Sequence, residues 1–389
     1  MKRILFVAFT ATLLAASCQK TEIINQVPGE ALTFTTAMSK LTKGVGESDA
    51  DESDGIINLR AQDFKVWAYY TYADDINKVT VGAPYDGMEH LDVTYKESEW
   101  TTELDYYWPG TNKSLDFFAV STGQTWAKPE ETDTDGNVVT PAVSGVSVEI
   151  EGQGETIGGR KLTVNGYSVD NADPNDDLMV AEFVRQHQDM NGKNVSVHFK
   201  HALAKVQFRF TTNPGSDKIE VKSLIVKDLK TTGTLTVEEN GTLVETNGRV
   251  SVKLTWTEHD TPADFTDDHE GNLELKAPVT EGETVTKNDQ EFATWLVLPQ
   301  TIDGKTVTIE YDITSATGVR SFQQTFALTR PAVQEVKEGE SVLTPGKEAF
   351  AEWKINQVVI YTINLSPNKI KFDPSVEPWD ESTNLTDQN

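Results

Sequence analysis

Val195-Ser196-Val197-His198-Phe199 and Val206-Gln207-Phe208-Arg209-Phe210 set an apolar side chain at every second position. Successive side chains of an extended chain point to opposite faces, so this period describes two half-buried strands and not helices. They are joined by the short link Lys200 to Lys205.

The same alternation runs outward in both directions. It recurs in Leu32, Phe34, Thr36 and Met38, in Val250, Val252, Leu254 and Trp256, and in Val359, Tyr361, Ile363 and Leu365. Turn signals at Pro109-Gly110, Asp135-Gly136, Asn213-Pro214-Gly215, Asn240-Gly241, Asn247-Gly248 and Asp303-Gly304 cut these runs at intervals suited to short strands. The pattern predicts an all-β chain built as sandwiches or barrels, without βαβ units. The best helical candidate, Pro331 to Glu338, is short and lacks an apolar stripe.

A length of 389 residues predicts two domains, each able to bury its own core. The polar stretch Gln186 to Asn194 is the expected boundary, dividing an N-terminal domain at 18–188 from a C-terminal one at 189–389. No period of 20 to 50 residues repeats, which disfavours solenoids and propellers. Sixty-one acidic against 34 basic residues leave a net charge of -27, which repels nucleic-acid backbones and anionic lipid heads. Segment Gly44 to Gly55 concentrates acids and predicts a solvated, protease-accessible loop.

The single cysteine, Cys18, excludes internal disulfides and thiolate metal cages. Lys2 and Arg3, the apolar run Ile4 to Leu14, and Ala15-Ala16-Ser17 form the three zones of an export signal at 1–17. This run of eleven residues is too short to span a bilayer. A cysteine directly after small residues resembles the lipobox of bacterial lipoproteins, which implies acylation of Cys18. The expected location is the outer-membrane surface. An ordinary secretory signal with an accidental cysteine is the alternative.

Catalytic and ligand motifs are weak. Asp49, Asp51 and Ser53 imitate a calcium loop, but Asp54 stands where glycine is required and Arg60 where glutamate is. Glu131, Asp133 and Asp135 start another that ends on Ala142. His198 and His201, three apart on a strand, face opposite ways and predict structural roles. Gly152, Gly154, Gly158 and Gly159 lead into a strand at Lys161 to Val164, so they predict a hairpin loop and no phosphate site. No nucleophile elbow occurs, and neither an enzyme nor a cofactor is expected. Among eight tryptophans, Trp67, Trp100, Trp108, Trp126 and Trp295 could make a glycan platform, although strand aromatics usually fill cores.

Phe64-Lys65-Val66-Trp67-Ala68-Tyr69, then Tyr107-Trp108-Pro109-Gly110-Thr111 and Leu115-Asp116-Phe117-Phe118-Ala119 stand in the N-terminal half. Leu178-Met179-Val180-Ala181, Phe199-Lys200-His201-Ala202-Leu203-Ala204-Lys205-Val206, Leu296-Val297-Leu298-Pro299-Gln300, Ile370-Lys371-Phe372 and Trp379 follow in order. Together they resemble the fimbrillin family, the structural and accessory pilins of Bacteroidales type V pili. The resemblance implies two tandem transthyretin-like β-sandwich domains, export as a lipoprotein, and proteolytic removal of the first strand with the acidic loop, residues 30–55. A strand from the next subunit then fills the opened groove. No arginine occurs between Cys18 and Arg60, so the cut is expected after Lys43 or Lys40, with Arg60 as the alternative. The expected donor is the C-terminal end, with Val359, Tyr361, Ile363, Leu365, Ile370 and Phe372. Expected partners are other pilin subunits, the outer membrane through the lipid, and a host or bacterial surface ligand, with no nucleic acid. A monomeric glycan-binding lipoprotein and an uncleaved anchor subunit remain the alternatives.

Overall fold

The computed structural model describes residues 30–378 apart from 39–58, 74–80, 110–112, 133–137, 155–157, 170–175, 188–193, 214–216, 242, 244–247, 260–261, 269–271, 277–278, 282–283, 287–288, 330–349 and 366–370. Apart from one helical turn at 59–62, its regular structure is β, as the period-two runs predict. The candidate residues Cys18, Lys40, Lys43 and Ile370, the acidic segment 44–55 and the helical candidate 331–338 lie outside the described residues.

The first sheet closes on itself. Around the ring run β1 (Thr33–Met38), β4 (Glu99–Thr101), β3 (Leu91–Lys96), β2 (Phe64–Ala73), β5 (Lys113–Ser121), β10 (Met179–Ala181) and β12 (Asn194–His201). Closure comes from β10, which pairs with β12 on one side and with the end of β5, Val180 opposite Val120, on the other. β11 (Phe183–Gln186) continues β10 along β5 and also meets β16 (Arg249–Val250). Closing a sheet removes its open edges. One hydrophobic cluster fills the ring, including Phe34, Phe64, Val66, Phe117, Met179, Val195, Val197 and Phe199. β12 therefore follows the stretch 186–194 in sequence and shares a sheet with the strands before it.

A second sheet, β8 (Ser147–Glu151), β9 (Lys161–Asn165), β15 (Gly233–Glu239) and β17 (Val252–Glu258), packs its buried face on Trp67, Phe118, Val180 and Phe183, which point out of the ring. The glycine-rich stretch 152–159 joins β8 to β9 as the hairpin loop the sequence predicts, with antiparallel partners Ile150 and Leu162.

The remaining strands form a two-layer sandwich. One layer runs β22 (Gln290–Val297), β13 (Ala204–Thr212), β27 (Gln357–Leu365) and β28 (Lys371–Pro378). The other runs β18 (Pro262–Asp267), β14 (Lys218–Lys230), β24 (Thr306–Ser315) and β25 (Gly318–Ala327), with β19 (Leu273–Glu274) beside β14. Phe265 of one layer meets Trp295 of the other, ring centroids 5.6 Å apart. Short ribbons complete the described strands: β6 (Glu131–Thr132) with β7 (Val138–Thr140), β20 (Val279–Glu281) with β21 (Thr284–Thr286), and β23 (Gln300–Thr301) with β26 (Glu352–Trp353).

Candidate functional site

β1 is the strand on which the sequence reading places removal and exchange. Phe34 and, just before the strand, Leu32 point inward and are only 6% and 7% exposed, while the alternating Thr33 and Thr35 face solvent. Phe34 meets Phe64 and Phe117 edge-on at 6.2 and 6.3 Å, the arrangement aromatic quadrupoles prefer. Burying these two side chains contributes about 3 to 6 kcal/mol.

The two walls of the β1 slot differ. Along β12 the pairing is parallel and continuous, from Thr33 opposite Asn194 to Met38 opposite Phe199. Thr33 adds a side-chain bond from its hydroxyl to the Asn194 carboxamide oxygen. Along β4 the pairing is antiparallel and reaches only Phe34 opposite Trp100. It is supplemented by Trp100 Nε1, which donates to Thr36 Oγ1 at 2.8 Å. At the N-terminal end the Leu32 amide donates to the Tyr106 carbonyl at 2.8 Å, and the Trp108 amide to the Glu30 carbonyl at 3.0 Å.

Beside the ring lies an ion network that sequence reasoning missed. Asp116 on β5 is fully buried, and its Oδ1 accepts from Arg160 Nη1 at 2.8 Å and Arg185 Nε at 2.7 Å. Its Oδ2 accepts from Arg185 Nη2 at 2.7 Å and from the Gly154 amide at 2.8 Å. Arg160 also reaches Glu239 of β15. The network fastens the ring, the Gly-rich loop and the second sheet together. Each charge is compensated, the condition under which buried ions persist.

The candidate donor residues divide. Val359, Tyr361, Ile363 and Leu365 on β27 are fully buried and lie parallel to β13, with Tyr361 opposite Phe208 and Ile363 opposite Phe210. The Tyr361 ring stacks on Phe208 at 5.0 Å, and its hydroxyl accepts from Trp353 Nε1 at 3.0 Å and donates to the Leu328 carbonyl at 3.2 Å. Burial pushes the Tyr361 phenol above its ordinary range. Phe372 lies on β28, the outermost strand of that layer, opposite Ile363.

Trp67, Trp100, Trp108, Trp126 and Trp295 form no exposed platform among the described residues. Trp67, Trp108 and Trp295 are buried in the cores, and Trp100 is half-buried against Phe64. Trp126 is half-buried beside Trp67, with Lys65 Nζ 5.5 Å above its ring. His90 lies edge-on to Trp67 at 5.0 Å. Burial, followed by the charge of Lys65, holds its imidazole below the ordinary value of 6.5. His198 and His201 face opposite ways, as their spacing predicts. His201 is fully buried, its Nδ1 2.6 Å from Asp177 Oδ2.

Comparison with solved structures places this chain beside a fimbrial protein from Bacteroides vulgatus ATCC 8482. The match covers 90% of this chain and 100% of that one, with a TM-score of 0.48 and 17% identity. The tip fimbrial protein Mfa3 from Porphyromonas gingivalis, truncated at its C-terminus, matches over 90% and 100% with a TM-score of 0.31 and 10% identity. These likenesses are too distant to support an argument of their own. No curated protein matches the chain. The decisive finding is a family model, described as fimbrillin-like, that matches residues 58–379, everything in the ring after β1 and both layers of the sandwich. The chain belongs to the fimbrillin-like family.

Proposed function

We propose that this protein is a structural or accessory subunit of a cell-surface type V pilus, without enzymatic activity, that polymerises by β-strand addition and serves adhesion. The observation that carries the reading is the position of β1. It sits in the ring through a long parallel ladder with β12, yet its inward hold on the core rests on Leu32, Phe34 and the half-buried Met38. A cut after Lys43, or after Lys40, would detach it and leave the facing edges of β12 and β4 with an apolar trough between them. A strand of the same period restores both ladders.

The incoming strand is the C-terminal end of the next subunit. In the uncut chain Val359, Tyr361, Ile363 and Leu365 fill their own core, whereas β28 is a sheet edge that can leave with fewer losses. Of the six donor positions, Ile370 and Phe372 repeat the apolar-x-Phe spacing of Leu32 and Phe34 and are the two that we assign to the trough. Acylated Cys18 holds the precursor at the outer membrane until the cut. In the division into domains 18–188 and 189–389, β12 is the shared piece, since it opens the second domain in sequence and completes the first by hydrogen bonding.

The test is assembly after cleavage. Purified precursor cut after Lys40 or Lys43 should form ladders on an unboiled gel, and Phe372→Asp should abolish them while circular dichroism stays unchanged. Ladders from uncut protein, or ladders that survive Phe372→Asp, would refute the assignment.

A further inference from the structure

Outside the short two-stranded ribbons, the open edges of the other sheets carry features that discourage a neighbouring strand. β8 has Glu149 and Glu151, β17 has Lys253 and Glu258, and β18 has Pro262, Asp264 and Asp267. On β22 there is Glu291 beside an irregularity in its pairing with β13, and β28 carries Lys371, Asp373, Pro374, Glu377 and Pro378. Charges, prolines and bulges are the usual protection of an edge, because unpaired main-chain groups template another strand.

β25 has none of these except one arginine. It runs from Gly318 to Ala327, paired residue for residue with β24 and without a bulge, while its other side bears no strand among the described residues. Val319 is 61% exposed, and Phe322, stacked on Tyr311 at 5.4 Å, is 36% exposed. The sequence from Ile313 to Gln334 contains no acidic residue, in a chain whose net charge is -27. The nearest acids, Glu310 and Asp312 on β24, are engaged by Gln323 at 2.8 Å and Lys222 at 2.7 Å.

We propose that β25 is a self-association edge, along which two copies of this chain join their β24–β25 sheets antiparallel, β25 against β25. Two chains this acidic repel wherever acids face each other, and a second β25 is a strip of the same chain that brings no acid to the contact. Pairing about a two-fold axis at Gln323 sets Arg320 opposite Phe326 of the other copy and keeps the two arginines apart. It also covers Phe322. The contact is independent of strand exchange in the ring, since it needs neither the cut nor β1.

The test uses the uncut chain carrying Cys18→Ser, so that neither a lipid nor a disulfide joins copies, and reads mass by sedimentation. Wild-type should shift from monomer to dimer with concentration. The dimer should strengthen from about 0.1 M to about 1 M salt, as the Debye length falls from about 10 to about 3 Å and the repulsion of like-charged copies is screened. Phe322→Lys with Gln324→Lys should return it to monomer with the circular dichroism of the folded chain retained, while Val139→Lys, which charges an exposed valine on β7, should leave the dimer intact. A chain that stays monomeric up to its solubility limit would overturn the proposal. So would a dimer that survives the double variant, which places the contact elsewhere, or one that Val139→Lys also dissolves, which makes it non-specific apolar adhesion.

Discussion

Trp100 donates its indole N–H to the Thr36 hydroxyl at 2.8 Å, which makes it the principal polar tie between β4 and the C-terminal half of β1. Trp100→Phe keeps an aromatic ring against Phe64 and removes the donor. The expected loss is about 1 kcal/mol of unfolding free energy. In a double-mutant cycle with Thr36→Val the two losses should be strongly non-additive. Additive losses would show that the bond contributes nothing.

Phe34→Ala removes a buried ring that touches Phe64 and Phe117. A loss of about 3 to 5 kcal/mol is expected in denaturant unfolding. Amide exchange across β1 and the facing edge of β12 should quicken more than exchange in β13 and β27. Uniform quickening would mean that β1 does not open separately.

Asp116→Asn removes the negative charge at the centre of two buried guanidinium groups. Breaking such a network by deleting one partner costs about 3 to 5 kcal/mol, because the remaining charges stay desolvated. The urea midpoint should fall sharply, and Asp116→Asn with Arg185→Met should recover part of the loss. A loss below about 1 kcal/mol would mean that water reaches the arginines.

His90 is held neutral in the folded chain by burial and by Lys65, below its ordinary value of 6.5. Above that value neither state binds the proton and His90 adds no pH dependence. As pH falls through 6.5 the unfolded chain gains the proton first, so stability declines toward the folded value. His90→Gln should flatten the melting temperature between about pH 7 and pH 5 relative to wild-type, a range in which an unperturbed histidine changes charge. A variant with an unchanged profile would contradict the assignment, as would an imidazole resonance titrating above 6.5.

Cys18→Ser should release the protein from membranes and abolish labelling with palmitate, because a chain this acidic has no other affinity for anionic lipid. Protein that still fractionates with membranes and still labels would remove the lipoprotein reading.

Sequence spacing revealed the strands but not their neighbours. Leu32 and Phe34 announce β1 because its outer positions are threonines, and Val206, Phe208 and Phe210 announce β13 equally well. The parallel ladder between β1 and β12 joins residues some 161 positions apart, and no local pattern encodes it. Asp116, Arg160, Arg185 and Glu239 each look like ordinary surface charges among 95 ionisable acids and bases, since their mutual distances exist only once three strands and a loop are stacked. The tryptophans followed the general rule for strand aromatics: Trp67, Trp108 and Trp295 are buried in the cores. Gly152 and Gly154 were legible as a hairpin, while the bond from the Gly154 amide to Asp116 was not.

The two walls flanking β1 run in opposite directions, since β12 is parallel to it and β4 antiparallel. Any occupant of that position, whichever way it threads, therefore makes one ladder of each kind. Backbone pairing distinguishes the two directions only through the unequal lengths of the ladders, six pairs along β12 against one along β4. Side chains choose direction as well, through the spacing of the Leu32 and Phe34 hollows and the placement of an acceptor for the Trp100 indole. A short synthetic peptide and its retro-sequence would both pair with the two walls, and only one of them would set its aromatic ring and its hydroxyl where the trough receives both.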